Sequence, residues 1–194
     1  MTTGEGSPGE RPWSEVLAAE EVRGQPAGPS VSDLVDRFSV DGEYDDYYEV
    51  VAQGLYEHGR AGIEVLVQEL ASRRIPQLRA ALTVLAVQQG DDPQFVERAK
   101  SLAGNAEPIV AADAIRLLGS LGVTDVADRI RGLVGHSSPL IRASVLDYLA
   151  RVEPDSARPV LIQALEDSDY IVRETAIEIG GNAAVSLTNR PSNE

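Results

Sequence analysis

Apolar residues in this chain fall at helical intervals inside blocks that themselves recur. Leu78, Leu82 and Leu85 are followed by Val110, Ala114 and Leu117, then Ile141, Val145 and Leu149, then Val172, Ala176 and Ile179. Steps of three and four put each trio on one helix face. Two residues ahead of each trio stands a marker, Pro76, Pro108, Pro139 or Tyr170, at steps of 32, 31 and 31 residues. Proline lacks the N–H that the first turn leaves unpaired and has a suitable φ, so the prolines predict helix starts, with Ser138 an apt N-cap before Pro139. A second helix is predicted before each block, ending on Leu70, Leu102, Leu133 and Leu165 at steps of 32, 31 and 32. Its apolar face is carried by Ile63 and Val67, Phe95 and Ala99, and Val126 and Ile130 in the first three hairpins. The fourth drifts by a residue and uses Val160, Leu161 and Ala164 less regularly. Two series on one period predict an all-α solenoid of stacked antiparallel hairpins, each burying its apolar face against its neighbours.

The flanks depart from the period. Residues 1–30 are rich in Gly, Pro, Glu and Ser and are expected to be mostly disordered. Within them Trp13–Val22 is a short candidate helix, with Ser14 as a cap and Trp13, Val16, Leu17 and Ala18 as an apolar stripe. It reads either as a peptide or lid that folds onto the repeats or as a weakly helical tail, and the cost of helix nucleation weighs for the tail. Residues 31–183 are assigned to the solenoid. Its opening hairpin, 31–60, is atypical, with helices over Ser30–Phe38 and Tyr44–Glu57 and contacts from Leu34, Val35, Phe38, Val51 and Leu55. Gly180 or Gly181 is expected to stop the last helix, leaving 184–194 as a disordered tail.

Composition narrows the chemistry. The 194 residues are 43% hydrophobic and only 5% aromatic, which suits close helix packing through Leu, Val, Ile and Ala. There is no cysteine, which excludes disulfides, thiolate nucleophiles and cysteine-ligated zinc. Net charge is −14 and Lys100 is the only lysine, so the cationic stripe that displaces counterions from nucleic acid is missing. No stretch approaches the roughly 18 apolar residues of a membrane span, and a cytoplasmic protein is expected. The partner implied is a protein, a basic one being the charge-complementary case.

The run Leu165-Glu166-Asp167-Ser168-Asp169-Tyr170-Ile171-Val172-Arg173-Glu174-Thr175-Ala176 resembles the turn of HEAT repeats, in particular the short bacterial PBS-lyase HEAT-like type. The resemblance covers roughly 61–183. In that family an Asp ending the first helix and an Arg six places on form a polar ladder between neighbouring repeats, which implies a structural role for Asp167, Arg173 and Arg142. Pro159 also sits where the family often has a first-helix proline. In the earlier repeats His136, Asn105 and Arg73 hold the Asp place, while Arg142 and Arg79 keep the Arg place and Ala111 does not.

No chemistry-bearing motif stands out. His58 and His136 lie two repeats apart without an HExxH pattern, and GxSxG, P-loop and GxGxxG sequences are missing. Glycine-containing runs such as Gly119 to Gly122 read as helix ends, where a turn explains them. Catalytic, cofactor and metal sites are therefore not expected, and the chain reads as a non-enzyme. Asp41–Glu49 is the most unusual stretch. Asp45, Asp46 and Tyr47 read equally as a docking spot for arginines of a partner or as helix capping beside buried tyrosines. By the resemblance, second helices line a concave surface. Residues three and six places after each apolar marker are expected to look outward there, namely Asp113 and Arg116, Ser144 and Asp147, and Thr175 and Glu178, with Tyr148 and Arg151 nearby. The function expected is a scaffold or adaptor that binds a protein along that surface. Two alternatives are an acidic inhibitor or immunity protein against a basic toxin or nuclease, and a bilin lyase-like or DNA glycosylase-like enzyme.

Overall fold

The computed structural model describes residues 28–89 and 92–188, so the expected helix at Trp13–Val22 and the expectation of a disordered tail over 1–27 lie outside the described residues. Ten helices and no strand occur among them. The opening hairpin is α1 (Val31–Phe38) and α2 (Asp45–Glu57). Then come α3 (Arg60–Glu69) with α4 (Ile75–Gln89), α5 (Pro93–Leu102) with α6 (Pro108–Ser120), α7 (Ala127–Arg131) with α8 (Pro139–Val152), and α9 (Pro154–Ala164) with α10 (Tyr170–Thr188).

Local chemistry accounts for the boundaries. Ser30 caps α1 in a reciprocal box, its hydroxyl accepting from Asp33 N–H while the Asp33 carboxylate accepts from the Ser30 backbone. Asp92 caps α5 ahead of Pro93, accepting from Gln94 N–H at 2.7 Å. Pro108 and Pro139 open α6 and α8 as their spacing predicts. Ser138 occupies the N-cap position, but its hydroxyl makes no cap bond, and its own N–H donates to His136 Nδ1 at 3.0 Å.

The predicted apolar trios of the second helices are buried nearly throughout. Leu78, Leu82, Leu85, Val110, Ala114, Ile141, Val145, Leu149, Val172 and Ala176 all lie in the core, with Leu117 and Ile179 half-buried at its edge. One apolar cluster runs from Leu34 to Ala157, and a smaller one under the last hairpin joins Ala143 and Leu146 to Ala164, Val172 and Ala176.

The first helices follow the expectation less closely. In α3 the buried stripe is Gly62, Leu66 and Glu69, so Ile63 stays half-buried and Val67 faces outward. Gly62 sets that register, because a Cβ there would sit 1.7 Å from the Leu55 carbonyl oxygen, and only glycine lets α3 cross α2 so closely. α7 has five residues and stops at Arg131, two short of Leu133. Leu165 caps α9 but is 46% exposed, unlike Leu70 and Leu102.

One glycine expectation holds and one is corrected. The run Gly119–Gly122 lies at the end of α6, where Gly122 turns at a φ of 67°, and Gly119 is still helical, with a Cβ there meeting the Tyr148 backbone at 3.0 Å, which brings α6 and α8 together. Gly180 and Gly181 do not stop α10, which continues to Thr188 because neither glycine turns to positive φ.

The glycines give substitutions of opposite sign. Gly62→Ala is expected to destabilise by about 2 kcal/mol or more, since the clash is with backbone that cannot step aside. Gly181→Ala, with open space around it, should stabilise by roughly 0.5–1 kcal/mol through helix propensity. Denaturant unfolding measures both, and a neutral Gly181→Ala would mean that α10 ends before that residue.

Candidate functional site

Each second helix approaches the next, α2 to α4, α4 to α6, α6 to α8 and α8 to α10, whereas α3, α5, α7 and α9 approach their own partners more closely than one another. A row with the tighter spacing is the inside of a curved stack, so α2, α4, α6, α8 and α10 form the inner layer. Small residues permit the approach, with Ala81, Ala112, Ala114 and Ala143 all buried.

The residues expected to look outward divide by register. Those six places after the marker do so: Arg116 and Glu178 are exposed and Asp147 is partly so. Those three places after it turn inward. Ser144 is fully buried, and Asp113 and Thr175 are half-buried. Three residues is 300° of rotation, so this position lies only about 60° from the marker, and a second helix flanked on both sides buries an arc wide enough to include it. The Ser144 and Thr175 hydroxyls meet the cost of burial by donating to the carbonyls of Leu140 at 2.9 Å and Ile171 at 2.8 Å. Tyr148 is likewise core and not surface. Its hydroxyl donates to the Val123 carbonyl at 2.6 Å, and burial pushes its pKa up. Arg151 is exposed and bonds Asp147 along its own helix at 3.2 Å.

At the other end of the row, Asp45 and Asp46 occupy the first turn of α2. Asp46 is exposed, and Tyr47 is half-buried edge-on to the buried Tyr48. The Tyr48 hydroxyl donates to the Val40 carbonyl at 2.7 Å, as the Gln77 amide also does at 3.3 Å, fastening the α1–α2 connection to α2 and α4.

Arginines join the layers. Arg79 on α4 donates from Nη1 to Asp45 on α2 at 2.5 Å and from Nε to Asp113 on α6 at 2.7 Å, so one guanidinium spans three second helices. The following repeat has Asn105 at the Asp place, and Arg79 takes Asp113 in its stead. Arg142 reaches into the next repeat, gripping the Asp167 carboxylate at 2.6 and 2.9 Å while Nη1 donates to the His136 and Ser137 carbonyls. Arg173 holds the Asp167 and Ser168 carbonyls at 2.6 and 3.0 Å in the same manner. The sequence spacing joined Asp167 to Arg173, but the carboxylate bonds to Arg142, 25 residues earlier. The bond from Arg142 holds the Asp167 carboxyl below its ordinary value of 3.8.

The sequence reading missed a groove of about 750 Å³ between α1, α2 and α4. Leu34, Val51 and Val84 form its floor, and Val50 and Val87 stand 73% and 78% exposed at its sides. Val50 sits one residue off the buried stripe of α2. That apolar residue on the polar side was the available signal. No helix among the described residues is long and apolar enough to cross a membrane.

A paired row of helical hairpins, small residues at the crossings and an arginine–aspartate link between repeats define an α-solenoid. Residues 96–179, from α5 into α10, match the family model described as HEAT repeats. No curated protein matches the chain. HEAT repeats are commonly protein-interaction modules and typically non-catalytic.

The Arg142–Asp167 pair generates a pH dependence. A carboxyl held low in the folded state contributes fully above its ordinary pKa, and the contribution is lost as pH falls below that value towards the folded one. Arg142→Gln is expected to lower stability by about 1–2 kcal/mol at neutral pH. In denaturant titrations the deficit relative to the parent chain should shrink as pH falls below about 4.

Proposed function

We propose that this protein is a non-catalytic scaffold or adaptor that binds a protein partner along the inner row of second helices. The observation that supports this reading is the strip of side chains at the outward register of successive repeats, Arg116, Asp147 and Glu178, set over a row whose inward positions are fully engaged. Neighbouring helix axes lie about 8–10 Å apart, so the strip presents charges of both signs at regular intervals to an elongated ligand. Arg151 widens it on α8. Both signs occur on the strip, so recognition there rests on the pattern of charge. The net charge of −14 acts at longer range and favours a basic partner through faster encounter. That charge also supports a second reading, an acidic inhibitor that captures a basic toxin or nuclease.

A charge-reversed face tests the proposal. The partner recovered by affinity capture should bind Arg116→Glu/Glu178→Arg roughly tenfold more weakly than the parent chain, while Asp128→Arg on the opposite layer leaves affinity unchanged. Equal binding by both variants removes the inner row from the reading. A dissociation constant that rises steeply with salt supports the basic partner, and a flat salt series rejects it.

A further inference from the structure

We propose that Trp13–Val22 of this same chain occupies the groove between α1, α2 and α4, with Trp13, Val16 and Leu17 set against its apolar floor. The proposal goes beyond partner binding at α6–α10, because it concerns the other end of the row and an occupant that the chain itself supplies.

Three observations converge on that occupant. The first is the groove, whose apolar floor and exposed valines Val50 and Val87 fit a short apolar helix face. The second is the path of the chain. Gly28 and Pro29 line the groove, and the Pro29 carbonyl is 2.9 Å from His58 Nε2 at the end of α2, so the chain enters the described fold at the groove mouth. Six peptide steps separate Val22 from Gly28 and reach about 20 Å when extended. A ten-residue helix is about 15 Å long, so the segment can lie back along α2 on that tether.

The third is complementarity. Trp13, Val16 and Leu17 have the spacing of one helix face, and Trp13 is the only tryptophan in the chain. The charges also suit each other. Arg37 lines the groove and can meet Glu15, Glu20 or Glu21 of the segment. Glu57 also lines it, and Arg23, which follows the segment in sequence, carries the opposite charge. Tethering raises the effective concentration of the segment to the millimolar range, so modest contact area suffices to hold it.

Tryptophan emission of the full chain reads this segment alone. Trp13 should emit at shorter wavelength, and be quenched by acrylamide severalfold less, than in the urea-unfolded chain. Val50→Asp/Val87→Asp should lower the docked-to-free ratio roughly tenfold, because a carboxylate would face the apolar segment. Both valines are exposed, so the described helices should still form, and helical circular dichroism should fall by no more than the share of the released ten-residue segment. Should that variant fail to fold, Leu17→Asp, outside the described helices, should release Trp13 equally. The proposal is overturned if native Trp13 is quenched as in the unfolded chain, or if its protection survives Leu17→Asp. Protection that disappears on dilution overturns it as well, since the groove would then be filled by another copy.

Discussion

Close approach of neighbouring second helices is the constraint from which the architecture follows. No hairpin here is wide enough to enclose its own apolar residues, so each second helix depends on the helices before and after it for burial. Alanine at the crossings and glycine at Gly119 allow that approach, and α6 and α8, each flanked on both sides, are buried almost all round. Tightening one row relative to the other curves the stack and leaves the inner layer with one accessible face. The candidate interaction surface is a result of packing as much as of surface composition.

Polar groups fix what apolar packing leaves free. Hydrophobic contact between two helices tolerates sliding, whereas a bidentate arginine–carboxylate pair has one good geometry. Arg142 sets the last hairpin on its neighbour through Asp167, and Arg79 does the same for three helices through Asp45 and Asp113. Among the first helices the guanidinium groups of Arg98 and Arg129 reach back to the carbonyls of Leu70 and Lys100, near the ends of the preceding first helices, where backbone acceptors are unpaired. The acidic residues therefore have unequal roles. Asp45, Asp113 and Asp167 are engaged in holding repeats together, while Asp46 and Glu178 are exposed to solvent.

Some of this was legible from sequence because it depends on periodicity. The trios from Leu78 to Ile179 gave the second helices and their buried face, since a 3.6-residue period identifies a face whatever covers it. Where the covering element matters, the reading failed. Ser144 and Tyr148 looked like surface residues because one buried stripe was assumed, and α8 has more than one. Val67 and Leu165 looked like core because they fell on the period, yet nothing packs fully over them. Arg142 pairs with Asp167 and not with a residue of its own turn, a distinction that spacing within one repeat does not contain.

Sequence by itself determined the helical hairpins, their order, their starts at Pro108 and Pro139 and the absence of cysteine chemistry, because each is a property of local covalent chemistry or of a repeated pattern. Tertiary structure decided the width of the buried arc on each helix, the partner of each arginine and the groove beside Val50 and Val87. Those depend on distances between residues far apart in the chain, and the contact that sets them, backbone against backbone at Gly62 and Gly119, comes from a side chain that is not there.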